Sequence, residues 1–289
     1  MVGDDGSRRL TYREPLSQKA IGISISGSQD MEVLGLAEEH LRDAMAEVAR
    51  HLLAMGARLV YGGDLREHGF TELLFELVAR HRRDADVGDG RPAIANYLAW
   101  PVHRSIQVEE IRAVSQSLNG LAELHFLDIQ GRELPAAQLE LEARPVTSED
   151  WSTGLTAMRL MLTEVCDARI VLGGRVSEFK GRMPGIAEEA LCSIVSKQPL
   201  FVLGGFGGCA REIAEELGLV TPRKVQASAW ADRAKFSGLA ANVLNNGLDR
   251  AENETLARTV HVDEAVALVL RGLLRCFTGP DRKRLPAPD

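Results

Sequence analysis

Basic residues are in deficit: 34 Lys and Arg stand against 41 Asp and Glu in 289 residues, for a net charge of -7. That balance supplies no sequence-independent attraction to nucleic acid or to an anionic membrane, so any phosphate bound here must be met by local design. Long apolar runs are missing too. No stretch approaches the ~18 apolar residues a membrane helix needs, and the opening MVGDDGSRRLTYREPLSQ lacks a signal-peptide core. Cysteine is sparse: Cys166, Cys192, Cys209 and Cys276 are far apart and form no CxxC pair, which argues against a disulfide framework and a zinc ribbon. The expectation is a soluble, cytoplasmic protein that contacts neither nucleic acid nor membrane.

Several catalytic signatures are absent as well. No HExxH occurs, and His40 and His51 fall on one helix face without metal-ligand spacing, so no metal is expected. GxxxxGK[ST] is missing, and Gly22-Ile23-Ser24-Ile25-Ser26 lacks the second glycine of a nucleophile elbow. The tryptophans are scattered, with no interleaving of basic and aromatic residues for single-stranded nucleic acid. Gly205-Phe206-Gly207-Gly208-Cys209-Ala210 matches GxGxxG/A, but the acidic residue expected after the next strand is represented only by Asp232 in VQASAWADR, which argues against a dehydrogenase.

What the chain does carry is a repeated strand, glycine turn and helix. Residues 20–26 (AIGISIS) read as a buried strand, and Leu41, Met45, Val48 and Leu52 form one apolar stripe on a helix that ends near Gly56. Arg58 to Tyr61 is the second strand, followed by a helix that Thr71 is placed to cap. Further strands are expected within 92–101, 122–129, 168–172 and 199–203, and helices over 155–165, 186–196, 210–217, 251–259 and 263–275. Residues 130–152 read as a surface excursion or a helical insertion, not a domain boundary. This predicts an α/β fold of Rossmann type, with a mainly parallel sheet flanked by helices on both faces. It divides into an N-terminal segment (1–18) and a single domain (19–277), with a frayed tail (278–289). The order of strands in the sheet is not readable.

Four glycine-bearing turns follow strands: Ser26-Gly27-Ser28, Gly62-Gly63-Asp64, Gly173-Gly174-Arg175, and Gly204-Gly205-Phe206-Gly207. Such turns let backbone N–H groups approach phosphate oxygens beside a helix start, although a glycine-rich turn can also serve only to turn the chain. The segment GGRVSEFKGRMPGIAEE adds Arg175, Lys180 and Arg182 just before a helix that begins near Pro184 and Gly185, with Glu188 and Glu189 in its first turn. Three cations and a positive helix end make an anion site; the plainer alternative is a solvated basic loop with ordinary helix-start carboxylates. No bound cofactor is required, and these residues point to a phosphorylated ligand.

At ISGSQD (25–30), LVYGGDLREHGFTELL (59–74), VLGGRVSEFKGRMPGIAEEAL (171–191) and PLFVLGGFGGCARE (199–212) the chain resembles the SLOG superfamily, in the prokaryotic branch related to the sensor regions of TRPM channels. The closest branch is similar to the sensor domain of the Thoeris antiphage effector. The resemblance implies binding of an NAD-derived or other adenine nucleotide, foremost ADP-ribose or a cyclic isomer, with Arg175 and Lys180 on the phosphates and the glycines at 27, 62, 63, 204 and 205 lining the pocket. It also implies homo-oligomers and, since no TIR, Sir2 or membrane segment is fused here, a separate effector or TIR protein as partner. The LOG nucleotide N-glycosidases of the same superfamily carry PGGxGTxxEE, reduced here to Pro184-Gly185-Ile186-Ala187-Glu188-Glu189. Sensing therefore ranks above hydrolysis, in which Glu188 or Glu189 would be catalytic. A third reading is an assembly scaffold that docks through the C-terminal stripe Val266, Leu268, Val269, Leu273 and Leu274; the alternative is that this stripe packs on its own domain.

Overall fold

The computed structural model describes residues 14–66, 69–81, 91–118, 120–135, 145–223, 230 and 232–278. Strands and helices alternate from β1 (Ala20–Ser26), α1 (Glu38–Ala54), β2 (Arg58–Gly62), α2 (Phe70–His81) and β3 (Ile94–Leu98) to α3 (Trp100–His103), α4 (Val108–Ser117) and β4 (Ala122–Leu127). There follow β5 (Glu133–Leu134), α5 (Ser148–Val165), β6 (Ala168–Gly173), α6 (Gly185–Val195), β7 (Leu200–Leu203), α7 (Gly208–Glu216), α8 (Arg250–Arg258) and α9 (Val262–Thr278). The seven strands form one sheet in the order β5-β4-β3-β2-β1-β6-β7, parallel except for the β4/β5 edge pair. The protein is thus an α/β fold of Rossmann type.

The strand order creates the site. From β1 the chain works outward through β2, β3 and β4, then returns through α5 to lay β6 on the other side of β1. Crossovers on the two sides of β1 leave on opposite faces, so a crevice opens at the carboxyl ends of β1 and β6.

Alternation within the strands divides the core. Ile21, Ile23, Ile25, Leu59, Ile170 and Leu172 pack with α1, α2 and α9, whereas Val60, Ala95 and Tyr97 face α5, and Val171, Leu200 and Val202 face α6 and α7. Two helices begin with reciprocal caps: Thr147 Oγ1 accepts from Asp150 N while Thr147 N donates to Asp150 Oδ2 at 2.8 Å, and Asp249 with Glu252 repeats the arrangement at α8.

Several expectations are revised by packing. The stripe Val266, Leu268, Val269 and Leu273 is buried in the main core, with α9 lying on α1, so it is used within the domain and offers no docking face. Thr71 sits inside the first turn of α2, which starts at Phe70, and does not cap it. The excursion at 130–152 contains β5 and the start of α5, with residues 136–144 outside the described part. Residues 1–13 and 279–289 of the two end segments also lie outside it. Leu16, assigned to the first of them, is fully buried and donates its N–H to Met55 O at 2.9 Å. Among the described residues no helix is long and apolar enough to cross a membrane.

Candidate functional site

The ends of β1 and β6 are sewn together by backbone. Gly173 and Gly174 have φ of +63° and +103°, a left-handed turn that L side chains rarely adopt, and Gly174 N donates to Ser26 O at 2.9 Å. A Cβ on Gly173 would sit 2.6 Å from that same oxygen. These two glycines are spent on the turn. Gly27 differs: a Cβ there would meet nothing within 4 Å, so its backbone faces open space at the head of β1.

Beside this turn lies a cleft of ≈ 190 Å³ walled by Ser24, Ser26, Tyr61, Gly62, Arg159, Arg175, Phe179, Gly185 and Glu189, with apolar contributions from Ile23, Ile25 and Ile186. Of the residues expected at a site, Ser26, Gly62, Arg175, Gly185 and Glu189 come together here. The three cations separate. Arg175 lines the cleft, Lys180 stacks 3.8 Å over the Trp151 ring, and Arg182 is exposed and off the wall. Asp64 is also off the wall, paired with Arg66 at 2.6 Å, and Gly63 is pressed against the Tyr61 ring.

The two carboxylates of α6 are held by arginines. Glu189 Oε2 accepts from Ser24 Oγ and, at 2.6 Å, from Arg169 Nη1; Arg169 Nη1 also donates to Ser24 Oγ at 2.9 Å, and its Nε to Ser193 Oγ at 3.1 Å. Glu188 accepts from Thr156 Oγ1 at 2.5 Å and from Arg159 Nη1. Arg159 needs close approach to α6, and glycine permits it: a Cβ on Gly185 would lie 2.6 Å from Arg159 Nη2. Glu189 Oε1 accepts no hydrogen bond among the described residues; Arg159 Nε stands 3.8 Å away. The cleft therefore offers one cation at its rim, one carboxylate oxygen in its wall and a guanidinium behind them.

A family model described as SLOG cluster2 matches residues 15–263. The chain belongs to the SLOG family. Membership points to nucleotide-related binding or processing, and the match takes in every strand of the sheet. No curated protein matches the sequence.

In this SLOG domain the fourth glycine turn stands apart from the cleft. Gly204, Gly205 and Phe206 are buried; a Cβ on Gly204 would lie 2.8 Å from Ala257 O, and one on Gly205 only 2.0 Å from Thr259 O. These glycines admit the backbone at the end of α8, and Phe206 fills the core. The N-terminus of α7, where GxGxxG/A would seat a phosphate, already holds a carboxylate. Asp30 accepts from Gly208 N at 2.7 Å, from Ser28 Oγ at 2.5 Å and from Arg223 Nη1, and a Cβ on Gly207 would sit 2.5 Å from Asp30 Oδ1. This satisfies the dipole and the free N–H internally.

Asp30 carries a pH signature. Burial by itself raises its carboxyl, but hydrogen bonds from Ser28, Arg223 and Gly208 N, with the Arg223 charge, outweigh it and hold the group below its ordinary value. A depressed carboxyl contributes stability that is fully present above the unfolded pKa and is lost as pH falls through the folded one. Asp30→Asn should cost about 1–2 kcal/mol at neutral pH. In urea denaturation the gap between variant and wild type should close only as pH falls below the ordinary carboxylate range, and a constant gap across pH would reject the assignment.

Arg159, Arg169, Ser24 and Tyr61 were not anticipated from the sequence. A signal existed for two of them: Arg169 and Ser24 interrupt strands that otherwise read as apolar, as central parallel strands do. A fully buried arginine in such a strand requires a partner on another element.

Proposed function

We propose that the cleft binds a phosphorylated adenine nucleotide derived from NAD, ADP-ribose or a cyclic isomer, and that the domain acts as its sensor, passing the signal to a separate effector or TIR-type partner. The observation that carries this reading is the placement of Arg175, Glu189 and Ser26 around one crevice at the β1/β6 switch point, with the open Gly27 next in the chain to Ser26. Arg175 has no carboxylate partner among the described residues, so its guanidinium is available to phosphate oxygens. Glu189 Oε1 is available to accept from a ribose hydroxyl. SLOG membership supports a nucleotide, and the resemblance of segments 25–30 and 171–191 to the TRPM-related branch implies an NAD-derived one.

The expected result is a thermal shift of the wild-type protein with one species among NAD, ADP-ribose, its cyclic isomers, AMP and cyclic dinucleotides, the ligand being recovered intact. At a hundredfold excess over Kd the stabilisation amounts to about 2.7 kcal/mol. Arg175→Ala should weaken binding about tenfold or more. No shift with any of these compounds, or unchanged affinity in Arg175→Ala, overturns the reading. Glu189 in the cleft wall favours one rival, a nucleotide N-glycosidase in which this carboxylate stabilises an oxocarbenium-like transition state. Recovery of free base that ceases in Glu189→Gln would put that activity in place of sensing.

A further inference from the structure

At ≈ 190 Å³ the cleft is smaller than the ~300–1,000 Å³ of pockets that bury a drug-sized ligand, so part of a bound nucleotide must be housed elsewhere. One wall of the cleft is Tyr61, and beyond that ring lie buried polar groups with nothing to bond. Asn96 in β3 is 0 % exposed, and among the described residues neither its Oδ1 nor its Nδ2 has a hydrogen-bond partner. Thr71 Oγ1, in the first turn of α2, is 2 % exposed and equally without one.

These groups are contiguous with the cleft. Tyr61 and Asn96 are register partners in the parallel β2/β3 pair, so their side chains are neighbours on one face of the sheet. A Cβ built on Gly63 would stand 2.1 Å from the Tyr61 ring and 2.5 Å from Thr71 Oγ1, which sets ring and hydroxyl side by side. α2 packs against β3, and Leu74 and Val78 of α2 belong to the same core cluster as Ile94 of β3. Among the described residues the Tyr61 hydroxyl makes only a long 3.5 Å contact, to Ile25 O. A buried polar group left unpaired costs about 1–3 kcal/mol, and three such atoms on residues beside one ring whose hydroxyl is so weakly bonded have no use in packing.

We infer that Asn96 and Thr71 form a base-reading subsite for an adenine ring, reached from the cleft when the Tyr61 side chain swings aside. The inference rests on the nucleotide reading above and names the part of the ligand that the cleft does not hold. A carboxamide presents a donor and an acceptor in one plane and matches the N6 amine and N7 of adenine, while hypoxanthine, with a carbonyl at position 6, leaves the amide oxygen unpaired. Thr71 adds a hydroxyl that donates or accepts.

Calorimetric titration of the full chain with AMP, IMP and ribose 5-phosphate tests it. Wild type should bind AMP at least about tenfold more tightly than IMP. Asn96→Leu should bring AMP down to the level of IMP while keeping its affinity for ribose 5-phosphate, and its unliganded melting temperature should equal or exceed that of wild type, because two unpaired atoms are gone. Thr71→Val should reduce the AMP preference in the same direction, and it carries the test if Asn96→Leu fails to fold. Equal binding of AMP and IMP by wild type overturns the inference. So does a variant that melts lower and keeps the preference, which assigns the amide to a buried water. Binding of ADP-ribose but of neither AMP nor ribose 5-phosphate by wild type overturns the inference alone, whereas binding of none of the three overturns the nucleotide reading itself.

Discussion

Arg169→Met is expected to destabilise the fold by about 3–5 kcal/mol, because it strips the partner from a buried carboxylate without removing the charge. Arg169 is 1 % exposed and reaches along the sheet from β6 to Ser24 and Glu189, with Ser193 and then Gln198 continuing the network. The other cation near Glu189 among the described residues is Arg159, whose Nε is 3.8 Å away and which is already committed through Nη1 to Glu188. A double variant, Arg169→Met with Glu189→Gln, removes the stranded charge and should recover more than half of the loss in denaturant unfolding. If the double variant is no more stable than Arg169→Met alone, the pair is not coupled as described. The network also fixes where Glu189 stands in the cleft, so the arginine acts on the site only through the carboxylate it positions.

Gly205→Ala should cost about 2–4 kcal/mol, and Gly27→Ala about 0.5 kcal/mol or less. Both residues sit in glycine turns at strand ends, and the difference lies in what passes them. A Cβ on Gly205 would meet Thr259 O at 2.0 Å and Arg258 O at 3.0 Å, backbone atoms that cannot swing aside, whereas a Cβ on Gly27 would meet nothing within 4 Å. Nucleotide binding should show the reverse order. Gly27→Ala places a methyl where a phosphate is expected and should weaken binding about tenfold, while refolded Gly205→Ala should bind as wild type does. Urea denaturation and thermal shift with ligand separate the two effects. A stable Gly205→Ala chain that no longer binds nucleotide would return the fourth turn to the ligand site.

Much of the architecture was legible because it is local. The run AIGISIS, the stripe Leu41, Met45, Val48 and Leu52, and the glycine turns after each strand record side-chain alternation and helical periodicity, which depend on neighbours in the chain. Elements appeared where those patterns placed them. The sheet order was not legible, since parallel strands joined by helical crossovers can be laid on either side of β1, and it is this order that brings Ser26 beside Gly174.

The candidate site was legible only in part, for the same reason. Arg175, Gly62, Gly185 and Glu189 were recognisable by type and by position at strand or helix ends, and they meet in one cleft. The roles of Gly205 and Asp30 were not recognisable. Gly205 is fixed by the end of α8, far along the sequence, and Asp30 closes a helix start 178 residues away. Sequence by itself therefore determined most of the elements, though not α3, α4 or β5, together with the fold class and the chemistry available at the element ends. Only the tertiary structure decided which glycine faces a ligand and which faces backbone, which helix end is open and which is filled, and which buried arginine holds which carboxylate, because each depends on atoms brought close by packing.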